Sequence, residues 1–233
     1  MKEFVENLLP FERNLFFSLN GSDSIFLDHL FWTFTGRFVW VLLLLFLLVM
    51  FFYKTSRKEG LLVAFFFILV IVACDQVSSS LIKEFFHRLR PTYHPAFKDL
   101  VDVVNGYRSG GFGFVSGHAT NSFGIAVLMS LIFMRRWVTF PLLTWAAINS
   151  YSRIYLGVHF VSDIIGGAIV GSLLAWMLYE LYVWIRVRFY HIPKSEGRLS
   201  VYSLHSGRVV GIVISIYILL IIIFSPVLTT LPH

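Results

Sequence analysis

The chain has 233 residues, of which 57% are hydrophobic, 18% aromatic and only 14% charged, and its mean hydropathy is +0.76. Soluble domains carry about 25% charged residues, so the composition excludes a water-soluble globular domain and marks an integral membrane protein. The formal net charge of +6 is read as basic cytoplasmic loops lying near anionic lipid rather than as a nucleic-acid footprint, and no nucleic-acid partner is expected.

In chain order, Met1 to Pro10 carry Glu3 and Glu6 and lack a basic region followed by a short apolar core, which does not read as a cleaved signal. In residues 1–35, Leu15, Phe16 and Leu19, then Ile25, Phe26, His29 and Leu30, recur at helical spacing on either side of Asn20-Gly21. That pattern predicts two short amphipathic helices along the membrane interface, joined by a turn. Six transmembrane helices are then expected, over Phe38–Tyr53, Leu61–Ser80, Ala119–Met134, Trp137–Tyr151, Ile164–Ile185 and Val209–Leu228. Cys74, the single cysteine, lies in one of these runs, so an internal disulfide is excluded. The whole chain reads as a single membrane domain: interfacial helices to residue 35, a core over residues 36–185 and an additional carboxyl-terminal span over residues 209–228.

Charge orients the spans. The links Lys54–Gly60, Arg135-Arg136 and Arg186–Arg208 hold ten Lys or Arg against Glu59 and Glu196, which places them in the cytoplasm. The link from Leu81 to His118 and the run Ser152–Asp163 then share the outer side. Five glycines between Gly106 and Gly117 make the former a loop suited to ligand approach. Gly166, Gly167 and Gly171 have the spacing of close helix packing.

Three clusters on that outer side carry chemistry. In Lys83-Glu-Phe-Phe-His-Arg-Leu-Arg90-Pro91, Lys83 and Arg90 are seven residues apart, so on a helix ended by Pro91 they share one face. His87 and Arg88 read as interfacial. The plain alternative for this cluster is a headgroup-binding basic patch. Val115-Ser116-Gly117-His118 opens an expected span, where a hydroxyl, backbone N–H groups and a helix amino terminus favour an anion beside His118; an ordinary cap explains the same residues. In Ser152–Asp163, a helix beginning near His159 puts Asp163 four residues on, where a carboxylate can hold one ring N–H and leave the other nitrogen as a lone pair. Arg153 adds a fork that matches phosphate oxygens. Tyr93, His94, Lys98, Tyr107 and Arg108, in the outer link, are candidates for substrate selection. Together the clusters fit a phosphate that is neutralised by cations and attacked by one imidazole while the other protonates the leaving oxygen.

Lys83-x6-Arg90-Pro91, Ser116-Gly117-His118 and Ser152-Arg153-x5-His159-x3-Asp163 resemble, in order and spacing, the three motifs of the type 2 phosphatidic acid phosphatase (PAP2) superfamily, which includes acid phosphatases and vanadium haloperoxidases. The resemblance implies an all-α bundle of that kind in its membrane branch. It makes His159 the nucleophile, Asp163 its orienter and His118 the general acid, with Lys83, Arg90, Ser116, Gly117 and Arg153 around the phosphoryl oxygens. No metal and no other cofactor is implied. Val115 stands where the second motif usually begins with Pro.

The function expected is a lipid phosphatase of the bacterial cytoplasmic (inner) membrane with its site facing outward. Its partner is a phosphorylated lipid: lipid A or undecaprenyl diphosphate first, phosphatidylglycerol phosphate or phosphatidic acid next. A lipid phosphotransferase would use the same residues. A non-catalytic binder or transporter would keep the cations without needing both histidines and Asp163.

Overall fold

The computed structural model describes residues 6–231; the first five residues of the Met1–Pro10 segment, and Pro232 and His233, lie outside it. Among the described residues every regular element is helical, as a lipid solvent favours, because a helix pairs its backbone groups internally. Helices α1 (Leu9–Leu19) and α2 (Ile25–Thr35) flank the expected turn at Asn20-Gly21. A 3-10 turn leads into α3 (Val41–Phe52), and α4 (Arg57–Gln76) continues through a π-helical turn (Val77–Ile82) into the short α5 (Lys83–Phe86). After the long outer link come α6 (Gly117–Phe133), α7 (Arg136–Tyr155), α8 (Val161–Phe189) and α9 (Leu204–Leu228).

By length and composition, Arg57–Tyr93, Val161–Phe189 and Leu204–Leu228 can each cross a membrane, and α2 with Phe38–Phe52, bent by 71°, makes up to a fourth span. The expected count of six is therefore only approximate. The two helices that fall short are α6 and α7. The first has 17 residues, about 25 Å at 1.5 Å per residue; the second carries Thr139, Pro141, Thr144, Asn149, Ser150, Ser152 and Arg153. The setting explains the polar residues of α7. α6 packs against α4, α7 and α8, and Asn149 Nδ2 donates to Ser122 Oγ at 2.6 Å across the α6–α7 contact. A helix sheathed by other helices does not need an apolar surface all round.

α2 departs from a surface helix too: Leu30, Phe31 and Phe34 are buried in the main core, where it packs against α7 and α9. α1 builds a second, smaller core, in which Phe16 meets Phe97, Val101, Ile154 and Phe160. Gly21 takes φ +66°, which glycine accepts without Cβ strain. Asn20 Nδ2 donates to the carbonyl oxygens of Asp102 (3.0 Å) and Tyr155 (2.9 Å), and its Oδ1 accepts from Asp102 N (2.9 Å). These bonds fasten the outer link to the end of α7.

The glycines of α8 bring two motifs together. A Cβ at Gly167 would lie 2.7 Å from Ser116 O, and one at Gly171 would overlap Thr120 O, so only glycine lets α8 lie this close to the opening of α6. At the opposite end of α8, Arg186 Nε donates to Glu59 Oε1 (3.0 Å) and Tyr190 OH to Lys58 O (3.1 Å), joining two of the basic links.

Candidate active site

The site forms where α6 and α8 begin, α7 ends and the outer link crosses them. α7 gives way after Tyr155 to Gly157 at φ +71°, and the backbone N–H groups of Val158 and His159 donate back to Arg153 O at 3.1 and 3.2 Å. His159 therefore precedes α8 rather than opening it. Asp163, in the first turn of α8, folds back: its Oδ2 accepts from Phe160 N at 2.9 Å and from His159 Nδ1 at 3.2 Å. The four-residue spacing brings the pair together as a helix cap instead of as neighbours on one helical face.

His159 Nε2 lies 2.9 Å from Arg90 Nη1, which also donates to Val158 O at 2.9 Å. A guanidinium only donates, so Nε2 is the acceptor and Nδ1 carries the proton toward Asp163. Burial, and then the cations Arg90, Arg153 and Lys83, hold this imidazole well below its ordinary 6.5. The result is a neutral ring with a lone pair on the nitrogen away from the carboxylate.

Lys83, Arg90, Gly117, His118, Arg153 and His159 line one cavity of about 830 Å³. Lys83 and Arg90 do not reach it from a common helical face. α5 ends at Phe86, His87 turns left-handed at φ 50°, and Arg90 follows in extended backbone. Arg90 is held by its Nε donating to Gly110 O at 3.1 Å. The π turn just before Lys83 is a local irregularity of the kind common at functional sites; a Cβ at Gly117 would stand 3.7 Å from Lys83 Nζ. Arg153 donates to Tyr107 OH at 3.1 Å and to Thr35 Oγ1.

Ser116 is placed differently. It caps α6, its Oγ accepting from Ala119 N at 3.4 Å, and it does not line the cavity. Of the outer-link candidates for substrate selection, only Tyr107 reaches the cavity. His94 stacks on Phe97 with ring centroids 4.2 Å apart, Arg108 donates to Thr92 O at 3.0 Å, and Tyr93 and Lys98 are exposed. Among the described residues, no group of three His, Cys, Asp or Glu side chains is placed to hold a metal ion.

Two residues escaped the sequence reading. Arg88, read there as interfacial, is fully buried: Nη1 donates to Asp163 Oδ1 (2.8 Å) and Ser162 Oγ (2.6 Å), and Nη2 pairs with Glu12 Oε1 from α1. Its position two residues before Arg90 is no signal of this, and Glu12 carries none at all.

The arrangement can therefore present a nucleophilic nitrogen, a second imidazole and three cations to one anion. The family model of the PAP2 superfamily matches residues 61–187, which contain all three motifs. The chain belongs to the PAP2 superfamily. It is 37% identical over 185 residues, 79% of its length and 78% of the relative's, to the lipid A 4'-phosphatase of Porphyromonas gingivalis, and 37% identical over 176 residues (75% and 78%) to that of Bacteroides thetaiotaomicron. Among solved structures it is similar to Aquifex aeolicus LpxE (TM-score 0.59, 27% identity, 73% of this chain and 95% of that one). It is also similar to the transmembrane PAP2-type phosphatidylglycerolphosphate phosphatase of Bacillus subtilis (TM-score 0.58, 26% identity, 78% and 89%).

Proposed function

We propose that this PAP2 protein is a membrane lipid phosphatase that removes a phosphate from lipid A through a phosphohistidine at His159. The observation that carries the lipid reading is a pair of adjoining cavities. The polar one shares Arg37, Trp40, Ile71, Ile125 and Trp145 with an apolar pocket of about 200 Å³ between α3, α4, α7 and α9. Phosphate at one end and hydrocarbon at the other suit an amphiphile. Relatives named lipid A 4'-phosphatase favour lipid A over other phospholipids.

In the first step His159 Nε2 bonds to phosphorus and the bond from phosphorus to the lipid oxygen breaks, that oxygen taking a proton from His118. His118 enters the step as the imidazolium: Arg153, burial and the other cations disfavour that form, and the negative charge of the phosphate beside it favours it. Lys83, Arg90 and Arg153 offset the charge on the phosphoryl oxygens, where preorganised donors act most strongly. Gly117 supplies backbone N–H at the start of α6. In the second step water, losing a proton to His118, attacks the phosphohistidine; inorganic phosphate leaves and both imidazoles are restored.

The test is phosphate release by the detergent-purified protein from lipid A, undecaprenyl diphosphate, phosphatidylglycerol phosphate and phosphatidic acid. Preferred release from lipid A, unchanged by EDTA, is expected. Release from none of them, with transfer to an added lipid acceptor, would favour the phosphotransferase; a requirement for a divalent ion would overturn the mechanism.

We also infer a bacterial cytoplasmic membrane location with the site outward, from the basic links. Asp99 is exposed in the outer link, and the native thiol of Cys74 is buried. Asp99→Cys is therefore expected to react with an impermeant thiol reagent in spheroplasts, and reaction only after lysis would invert the topology.

A further inference from the structure

We propose that Glu12, on a helix outside the residues matched by the family model, is a positioning residue for the nucleophile, acting through Arg88 and Asp163. This rests on the reading of His159 as the nucleophile. Glu12 is 7% exposed and Arg88 and Asp163 are 0% exposed, a depth at which charged side chains persist only when paired. Glu12 Oε1 takes Arg88 Nη2 and Ser162 Oγ (3.0 Å), and Oε2 accepts from Ser162 N (2.9 Å). The guanidinium, stacked 4.4 Å from the Phe160 ring centroid, thus bridges two carboxylates.

Two consequences follow for His159. The first is geometric. Asp163 Oδ2 faces His159 Nδ1 and Phe160 N while Oδ1 faces Arg88, so the carboxylate can rotate only if Arg88 moves. Arg88 is itself fixed by Glu12. The second is electrostatic. Arg88 with Asp163 alone is neutral, whereas Glu12, Arg88 and Asp163 together carry net charge −1 when ionised. Bonding phosphorus at Nε2 makes the imidazole ring cationic while Nδ1 keeps its proton, and in a buried setting a net negative partner stabilises that ring far more than a neutral one.

A simple tether of α1 would also use Glu12, so the test separates the two roles. Glu12→Gln keeps the shape and removes the charge. Expected is a fall in kcat of about 10- to 100-fold, the scale of a slightly misplaced reacting group, with KM within about twofold of wild type. In the Asp163→Asn background the same substitution should cost nothing further, because the pathway through Asp163 is already cut. A tether predicts lowered thermal stability with normal kcat in the folded fraction, or the same loss in both backgrounds; either result overturns the proposal. If Glu12→Gln does not accumulate, Glu12→Asp in the same cycle serves, with a smaller loss expected.

One readout needs no substrate. In histidine-labelled protein the ¹⁵N-coupled Nδ1 proton of His159, assigned by its loss in His159→Ala, should shift in Glu12→Gln. A wild type that cleaves no lipid would count against the phosphatase reading alone, while an unmoved signal would count against the role of Glu12.

Discussion

Replacing His159 with alanine is expected to lower phosphate release by at least about 10⁴-fold, the scale seen when a nucleophile that works as part of a unit is removed. The protein should remain folded, because no buried partner is orphaned. Asp163 keeps Phe160 N and Arg88, and Arg90 Nη1 keeps Val158 O. The space vacated adjoins the polar cavity, so it can fill with water rather than persist as an apolar void. Size-exclusion profile and thermal stability in detergent check the fold, and a quench experiment with radiolabelled lipid should trap phosphoprotein in the wild type only. Full turnover in the variant would remove His159 from the chemistry. The wild-type pH profile carries the same assignment. Only the neutral ring attacks, and burial together with Arg90, Arg153 and Lys83 holds His159 well below 6.5. Activity should therefore persist as pH falls through 6.5 and be lost only further down. An acid limb at or above 6.5 would contradict that environment.

The residues that could be read from the sequence are those whose chemistry is local or whose spacing is distinctive. Arg90, His118, Arg153 and His159 reach the cavity as their motifs suggest, and the glycines of α8 pack where small-residue spacing puts them. The reading failed wherever packing decides. Lys83 and Arg90 suggested one continuous helix, but the backbone reverses hand at His87, a choice that composition does not announce. α6, apolar but only 17 residues long, fell short by length, and α7 carries polar residues such as Asn149, which pairs with Ser122 across the helix contact. Arg88 looked like a surface cation because its partners lie far away in sequence, 76 residues back at Glu12 and 75 residues on at Asp163. Nothing in a nine-residue motif distinguishes a cation that lines the cavity from one that pairs with Asp163. Ser116 shows the converse: a residue expected at the phosphate is occupied with capping α6.

Asp163→Asn is expected to reduce kcat by about 10³- to 10⁴-fold, the scale known for an orienting carboxylate changed to its amide. The wild-type carboxylate accepts on both oxygens, from Arg88 on one and from Phe160 N and His159 Nδ1 on the other. An amide has only one accepting oxygen. If that oxygen faces His159, the NH₂ group points at the buried guanidinium of Arg88. If it faces Arg88, the NH₂ group confronts two donors, and the imidazole relieves this only by moving its proton to Nε2. That nitrogen then has no lone pair for phosphorus, and its N–H meets Arg90 Nη1, another donor. The second orientation disables the nucleophile and the first sets two donors against each other at the Arg88 contact that holds the side chain in place; neither touches the cations that line the cavity, so KM should change little. Single-turnover formation of phosphoprotein is the decisive measurement, since it isolates the step in which Nε2 attacks. A rate within about tenfold of wild type would mean that the ring is oriented chiefly by Arg90 and the backbone, and Asp163 would then be a helix cap that happens to lie beside the nucleophile.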